Sequence, residues 1–296
     1  MKFNRFRSLN DEAFRDLINE VAEEYEKREI QEEIVDENVE YSHHIKHYTK
    51  EAIEIAQNPY QIKGISTGYR DLDKHLCGLG KGELTTIAAD TSVGKTLFAL
   101  NLINNAYKST EKPFTTFYVS LDTAVINVCA RFYQMYSFDD ENPIYFYNNT
   151  IGTSFDKVKT AIKKQKEEIG LDLVVIDMLN SLVRSVANQT NEMASVTLKL
   201  RELALELDIH IIILCHVTKE TSKTTESRLR PHYSAIKDSS AVAQDSDIVI
   251  MLGRDNLDLN QRNNMIVSIQ KNRNKGRTGE IGMYIDWKTL NMYELI

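Results

Sequence analysis

An eight-residue segment has the residue types and spacing of a phosphate-binding loop, with alanine where the general pattern begins with glycine. Its residues are Ala89, Asp90, Thr91, Ser92, Val93, Gly94, Lys95 and Thr96. An apolar run that predicts a strand precedes it and a helical pattern follows, which is the context this loop requires. Backbone N–H groups at a helix N-terminus bind phosphates, a lysine reaches the outer two phosphates, and a threonine hydroxyl binds Mg²⁺. We therefore expect ATP and Mg²⁺, held by Lys95 and Thr96.

Two aspartates each follow an apolar run that predicts a buried strand. Asp177 comes directly after Leu173–Ile176, and Asp122 ends the run that begins at Phe117. Because the carboxyl ends of parallel strands meet at one edge of a sheet, both carboxylates are expected beside the phosphate loop. There Asp177 can hold the water shell of Mg²⁺, and Asp122 can act as the base that activates the attacking water. The alternative for either aspartate is to cap the helix that follows.

A histidine and a basic loop follow a fourth predicted strand. The run 211–215 delivers His216 to the same edge, where an imidazole can sense the outermost phosphate and pass its state to the loop 217–237. That loop is rich in Ser and Thr, among which lie the cations Lys219, Lys223, Arg228 and Arg230. Cations among hydroxyls suit contacts with a nucleic-acid backbone without base reading. A solvated polar loop is the alternative.

A pair of cations lies far along the sequence from the phosphate loop. Lys271 and Arg273 follow the apolar run 265–269 and flank Asn272. As part of a surface turn they would have no catalytic role. As fingers inserted into the ATP of a neighbouring subunit they would stabilise the charge of the transition state. The second alternative predicts a ring.

Strands and helices alternate through the residues that carry these groups. The sequence predicts strands at 84–89, 115–120, 172–177, 210–215, 247–252 and 265–270. Helical patterns run near 95–107, 122–136, 155–169 and 191–207. Such alternation is typical of an α/β fold, a mostly parallel central sheet flanked by helices on both faces. The shorter alternation in 265–296 predicts an antiparallel hairpin that finishes the sheet.

The residues before the first strand predict two further helices. Residues 11–34 have apolar residues at helical spacing but too few to bury a face alone, and 43–58 form a second amphipathic stripe. We therefore divide the chain into an acidic helical extension at 1–40, a helical segment at 41–63 and an ATPase domain at 64–296.

Composition and charge limit the functional classes. The chain has 296 residues, 42% hydrophobic and 27% charged, as in soluble globular proteins with a substantial core. The net charge of −7 is that of residues 1–40 alone, so 41–296 is neutral and can still carry a basic track for DNA. Cys77, Cys129 and Cys215 lack metal-ligand spacing and are expected as reduced thiols. Since no membrane span or apolar signal core is found, we expect a cytoplasmic protein without membrane partners.

The order of these motifs resembles the C-terminal motor of DnaB-type replicative helicases. The motifs that carry the resemblance are Gly64–Gly68, Gly94–Thr96, Asp177, Ser239–Asp247 and Lys271–Arg273. The match covers roughly residues 43–296, and alanine at the first loop position is usual in that family. The resemblance implies a RecA-like P-loop NTPase fold and a homo-oligomeric, hexameric ring that hydrolyses ATP and moves on single-stranded DNA in replication. By it, the helix 43–58 is similar to the linker helix that docks on the adjacent subunit.

The resemblance also implies roles for individual residues. Arg254 matches the position that contacts the bound nucleotide. The segment Lys271–Arg273 matches the basic pair that reaches into the neighbouring site. The loops 181–196 and 217–237 match those that line the central channel and grip the DNA strand, so Arg184 joins the candidates for DNA contact.

Departures from the family keep other functions open. Asp122 stands where the family usually has glutamate, and His216 stands where DnaB usually has glutamine. The histidine resembles phage primase-helicases and the branch-migration protein RadA. In place of the N-terminal domain that recruits primase in that family, we expect only the acidic residues 1–40, as the contact for a loader or another replisome protein. The alternatives are therefore a RadA-like branch-migration or recombination ATPase and a catalytically weak, helicase-like scaffold.

Overall fold

The computed structural model describes Asn19 and ten stretches of the chain. These stretches are 45–59, 61–110, 113–135, 143–148, 153–183, 189–217, 224–236, 240–255, 257–258 and 260–295. The chain divides after Gln61 into two units. Apart from Asn19, the helix predicted at 11–34 lies outside the described residues.

The described part of the first unit is mainly helical. A 3-10 helix, Ile45–Tyr48, leads directly into helix α1, Thr49–Gln57. Together they span the helix predicted at 43–58 to within two residues at either end. The turn that ends α1 is closed by the amide of Asn58, which donates to the carbonyl of Glu54 at 3.1 Å.

The second unit is built on one sheet, which has nine strands over the described residues. The strands are β1 (Leu84–Ala89), β2 (Thr116–Ser120), β3 (Ile144–Asn148), β4 (Leu173–Asp177), β5 (His210–His216), β6 (Ile248–Gly253), β7 (Asn264–Asn272), β8 (Gly279–Ile285) and β9 (Met292–Glu294). Their order across the sheet is β3-β2-β4-β5-β1-β6-β7-β8-β9. The pairs among β1 to β6 are parallel, and β7, β8 and β9 are added antiparallel.

Helices cover both faces of the sheet. They are α2 (Arg70–Leu76), α3 (Lys95–Ser109), α4 (Val125–Gln134), α5 (Phe155–Ile169), α6 (Gln189–Leu207), α7 (Thr225–Leu229) and α8 (Ser240–Asp245), with 3-10 turns at Leu179–Leu182 and Tyr233–Ala235. Apolar side chains of α2, α3 and α4 pack on one face, and those of α5, α6 and α8 pack on the other. Strands β1, β2 and β4 are buried throughout, and this explains why their sequences are mostly apolar instead of alternating between apolar and polar residues.

Most of the predicted elements are confirmed. All six predicted strands form, and the predicted antiparallel end of the sheet is present as β7 to β9. Strand β3 and helices α2, α7 and α8 were not predicted. The helix expected from residue 122 begins later, at Val125, because residues 121–124 form the turn that leaves β2. Among the described residues, no helix is long and apolar enough to cross a membrane.

The parallel strands bring the predicted chemical groups to one edge of the sheet. In the strand register, Ala89 at the end of β1 lies beside His216 at the end of β5. Ser120 at the end of β2 lies beside Asp177 at the end of β4. The residues that follow these four positions therefore surround one cleft, at the carboxyl ends of the strands, where open α/β sheets bind their ligands.

A buried histidine at the opposite end of β5 makes the stability of the fold depend on pH. The ring of His210 is fully buried, with Nδ1 at 2.7 Å from the Gly80 carbonyl oxygen and Nε2 at 3.0 Å from the Thr85 hydroxyl. A carbonyl only accepts, so Nδ1 carries the proton and Nε2 accepts from the hydroxyl. Burial lowers the pKa of His210 to about 4. The folded protein therefore holds this ring neutral at pH values where the unfolded chain protonates it.

We expect the free energy of unfolding to fall as the pH falls from about 6.5 towards 4, by on the order of 3 kcal/mol from this group. Above the unfolded-state pKa the contribution is constant, because both states are neutral. Urea unfolding of wild type and His210→Gln at pH 7 and pH 4.5 measures the effect. The variant should lose less stability between the two pH values, and equal losses would contradict this role of His210.

Candidate nucleotide-binding site

The phosphate loop connects β1 to α3 by a backbone that few residue types adopt. Ser92 has φ of 64° and Gly94 has φ of 122°, and Gly94 is the N-cap of α3. The second value strains any residue with a side chain, so glycine is needed at that position. The loop therefore delivers the first N–H groups of a fifteen-residue helix to the cleft, where they can bind an anion.

Lys95 is buried at the floor of this cleft. Its Nζ donates to the carbonyl oxygens of Ala89 at 2.8 Å and Asp90 at 3.1 Å, and it lies 3.1 Å from Nδ1 of His216. Burial lowers the pKa of Lys95 to about 8, against the opposing effect of nearby acidic groups that include Asp177 and Asp122. A polyphosphate in the cleft would supply the negative charge that stabilises the ammonium form.

Thr96 and Asp177 are brought together beside the phosphate loop. The Thr96 hydroxyl donates to Oδ2 of Asp177 at 2.8 Å, and the Tyr118 hydroxyl donates to the same oxygen at 2.8 Å. Burial raises the pKa of Asp177, while the two hydroxyl donors act in the opposite direction. Asp177 thus bonds across the cleft to the phosphate loop and does not cap a helix, since the N-cap of the following 3-10 turn is Met178.

Asp122 lies on the wall of the same cleft. The amides of Leu121 and Asp122 both donate to the carbonyl oxygen of Asp177, at 2.6 and 3.3 Å, and this fixes the turn after β2 against β4. The N-cap of α4 is Ala124, so Asp122 does not occupy the capping position that was its alternative. The cleft has a volume of about 310 Å³, and Lys95, Thr96 and His216 also line it.

Side chains that line the cleft or contact its residues were missed in the sequence, and three of them are polar or aromatic. Tyr118, Arg131 and Trp287 come from β2, α4 and the turn before β9, respectively. Trp287 is the only tryptophan in the chain, and the guanidinium of Arg254 lies over its ring at 4.9 Å. A single tryptophan in the chain is a weak indication of a functional site. Tyr118 and Arg131 resemble ordinary strand and helix residues, so nothing in the sequence indicates a role for them.

Arg254 joins the phosphate loop to β6. One of its terminal nitrogens donates to the Ser92 carbonyl, and the other donates to the Arg262 carbonyl at 3.1 Å. Burial lowers the pKa of Arg254. The side chain predicted to contact nucleotide is therefore bonded to the phosphate loop and lies over Trp287, which lines the cleft.

The basic residues predicted for DNA contact have different surroundings. Arg184, Lys219 and Lys223 lie outside the described residues. Arg228, in α7, forms a two-pronged ion pair with Asp255, through Nε at 3.2 Å and Nη2 at 3.1 Å, and Arg230 pairs with Glu280 at 2.9 Å. The structure thus gives Arg228 and Arg230 contacts within the chain that the sequence did not predict.

Helix α7 is clamped against the end of β6. The Arg254 amide donates to the Arg228 carbonyl at 3.1 Å. A Cβ on Gly253 would lie 1.9 Å from the carbonyl oxygen of Leu229, so only glycine permits this approach. Together with the Asp255 ion pair, these contacts tie 224–230 to the strand that also supports the phosphate loop.

Lys271 and Arg273 lie together at the opposite end of β6 from Arg254. Nζ of Lys271 donates to the carbonyl oxygens of Ala243 at 2.9 Å and Gln244 at 2.7 Å. Arg273 donates to the same Gln244 oxygen at 2.9 Å and pairs with Asp247 at 3.1 Å. Both cations are therefore held at the end of α8, away from the phosphate loop of their own chain.

The fold and the phosphate loop define a RecA-like P-loop domain. Two solved structures have this fold. One is an ATPase domain, with a TM-score of 0.75, 22% identity and coverage of 87% of this chain and 100% of that one. The other is a DnaB-like replicative helicase studied with primase, with a TM-score of 0.72, 22% identity and coverage of 94% of this chain and 72% of that one.

The chain belongs to the family of the DnaB-like helicase C-terminal domain, whose model matches residues 64–138 and 135–293. The replicative DNA helicase DnaB of Geobacillus stearothermophilus is 28% identical over 242 residues, which are 72% of this chain and 53% of that protein. The chain thus spans about half the length of this curated relative.

Proposed function

We propose that the chain is the ATP-hydrolysing motor of a ring that translocates on single-stranded DNA as a replicative helicase. The observation that carries this proposal is the cleft, where the phosphate loop, the Thr96–Asp177 pair, Asp122 and His216 meet in a member of the DnaB-like family. A phosphate loop at a helix N-terminus, with a hydroxyl and a carboxylate beside it, suits a nucleoside triphosphate.

The oxygen atoms beside the loop suit Mg²⁺. In the described residues, no group of three or more His, Cys, Asp and Glu side chains is placed to hold a metal ion. Mg²⁺ differs from zinc in this respect, since it is usually held by one or two protein oxygens, water and the phosphates of the substrate. We assign Thr96 as its direct ligand and Asp177 as the group that orients its water. When bound, Mg²⁺ would neutralise charge on the phosphates.

Lys95, Asp122 and His216 have separate roles in the proposed hydrolysis. Lys95 exchanges its carbonyl contacts for the outer phosphates, and Asp122 accepts a proton from the attacking water. His216 accepts a hydrogen bond from Lys95 in the structure, so movement of the lysine to a phosphate changes the partner of the imidazole. The backbone amide of His216 donates to Oδ1 of Asn180 at 3.3 Å, which holds the end of β5 against the turn after β4.

A neighbouring subunit completes the site in this proposal. Lys271 and Arg273 are assigned to the ATP of the next protomer, where they stabilise negative charge in the transition state. Arg273 is 39% exposed, so the guanidinium is accessible from outside its own chain. Arg254 is assigned to the nucleotide in its own chain, because it bonds directly to the phosphate loop. The ring is homo-oligomeric, and we propose six subunits.

DNA contact is assigned to the loops at 181–196 and 217–237. Arg184, Lys219 and Lys223 are proposed to bind the phosphates of the strand, which would make the affinity depend on salt. Arg228 and Arg230 are proposed to act there through the ion pairs that hold their segment. Residues 1–40 are proposed to contact a loader or another replisome protein, and the assembly is proposed to work in the cytoplasm.

The proposal is tested by ATP hydrolysis measured with and without single-stranded DNA. We expect the DNA to raise kcat, and we expect unwinding of a simple fork when ATP is present. Activity on three-stranded junctions with stimulation by a recombinase would favour the RadA-like alternative. No hydrolysis under either condition would contradict the motor and leave a helicase-like scaffold.

A further inference from the structure

Asp247 is a buried carboxylate fixed by the backbone on both sides. It lies between α8 and β6 and is 4% exposed. Its Oδ2 accepts the amide of Leu84 at 3.1 Å, and its own amide donates to the Leu84 carbonyl at 2.9 Å. Its carbonyl accepts the amide of Arg273 at 2.8 Å. These three bonds leave the carboxylate little freedom to move.

The other carboxylate oxygen of Asp247 is shared by two arginines. Oδ1 lies 3.1 Å from Nη1 of Arg273 and 3.4 Å from Nε of Arg201. The second terminal nitrogen of Arg273 donates to the Gln244 carbonyl. Two nitrogens of the Arg273 guanidinium are therefore held, one by a carboxylate and one by a carbonyl, and the two contacts together set its direction.

Cations and acidic groups both surround Asp247, and the acidic groups include Glu83, on which the charge of Asp247 acts. Arg201, Lys271 and Arg273 face Asp247 and Asp245, and the charges of both aspartates act on Lys271. The two arginine side chains are 31% and 39% exposed, while that of Asp247 is 5% exposed. The two guanidinium groups are thus accessible from outside the chain, while the carboxylate that they share is buried.

We propose that Asp247 is the positioning residue of Arg273, and that Arg201 replaces Arg273 as its partner when Arg273 turns to the phosphates of the neighbouring site. This inference rests on the proposed function, because it presupposes that Arg273 acts in the next protomer. A buried carboxylate left without a partner is strongly unfavourable, so a second arginine on the same oxygen makes the exchange possible. The exchange moves Arg273 and leaves the backbone around Asp247 in place.

Asp247→Asn tests the positioning. The amide keeps the size of the side chain but removes the charge that holds both arginines. We expect kcat for ATP hydrolysis to fall by about 10- to 100-fold with little change in KM, because a finger that is poorly placed affects the transition state more than nucleotide binding. Asp172→Asn is the matched control, since Asp172 also accepts a backbone amide, that of Thr115 directly before β2 at 3.0 Å, and faces a lysine. It should hydrolyse ATP as wild type does.

The exchange with Arg201 has its own test. In Arg201→Gln, Asp247 holds Arg273 alone, so release is harder and we expect a lower kcat at unchanged KM. Adding Asp247→Asn removes the charge from which Arg273 must be released, so the kcat of the double variant should be no lower than that of Asp247→Asn alone. A wild-type kcat for Arg201→Gln, or a double variant in which the two losses multiply, would overturn the exchange.

Asp247 is also bonded to β1, the strand that leads to the phosphate loop of its own chain, so Asp247→Asn could damage that ATP site directly. Rings mixed from two variants distinguish such damage from poor positioning of Arg273. A mixture of Asp247→Asn and Lys95→Ala should regain hydrolysis. At some sites of the mixed ring an Asp247→Asn subunit provides the intact phosphate loop, and a neighbouring Lys95→Ala subunit provides a correctly positioned Arg273. Arg273→Ala mixed with Lys95→Ala is the reference. If only the reference mixture regains activity, the inference is overturned and the proposed function stands. If neither does, both are overturned.

Discussion

Lys95→Ala should reduce kcat for ATP hydrolysis by about 10²- to 10³-fold, to a level that single-stranded DNA no longer raises. The side chain is the buried cation of the phosphate loop, and its Nζ lies within 3.1 Å of three acceptors in the cleft. With nucleotide bound, the same ammonium group would meet the outer phosphates, where negative charge shifts during the reaction. The measurement is steady-state hydrolysis with and without DNA.

A lysine on the same helix provides the control. Lys108 lies in the last turn of α3, is exposed, and is not part of the cleft lining. Lys108→Ala should hydrolyse ATP at the wild-type rate. If Lys95→Ala also kept that rate, the phosphate loop could not be the site of the reaction.

The sequence predicted the fold well where strands are buried on both faces. Strand β4, Leu173–Asp177, is apolar up to its final carboxylate, and a short run of this kind is typical of a strand buried on both faces of a parallel sheet. Strand β3 was missed because it is a five-residue edge strand whose Tyr145 is 41% exposed, so its pattern resembles a loop with aromatic residues. Helices α2, α7 and α8 were missed because they have only seven, five and six residues.

The residues of the candidate site that lie at the carboxyl ends of strands were predictable from the sequence. Asp177 and His216 follow apolar runs, and parallel pairing brings such ends together. The partners of side chains from distant segments were not predictable. Arg228 was interpreted as a DNA contact, and its pairing with Asp255 depends on how α7 approaches β6, a tertiary contact without a sequence pattern. The second hydroxyl on Asp177, from Tyr118, has the same origin.

Arg273→Ala should bind ATP with wild-type affinity and lose about 10³-fold in kcat. The residue is assigned to the transition state in the next protomer, and its described contacts are with Gln244 and Asp247, away from its own phosphate loop. Removing a group that acts only in the transition state lowers kcat and leaves nucleotide binding intact. Binding of a fluorescent ATP analogue and steady-state hydrolysis measure the two quantities separately.

Lys275→Ala is the matched control for this variant, because Lys275 is a cation in the turn that follows β7, two residues beyond Arg273. Its kcat should equal that of wild type. A parallel loss of ATP affinity and kcat in Arg273→Ala would contradict the assignment to the transition state.

The claim that two neighbouring subunits build each ATP site is tested most directly by combining two inactive proteins. Arg273→Ala contributes an intact phosphate loop, and Lys95→Ala contributes an intact guanidinium. We expect hydrolysis to return when the purified variants are mixed, and to rise to a maximum at intermediate ratios as sites of mixed origin form. A mixture that stays as inactive as its components at every ratio would show that Arg273 serves no neighbouring site.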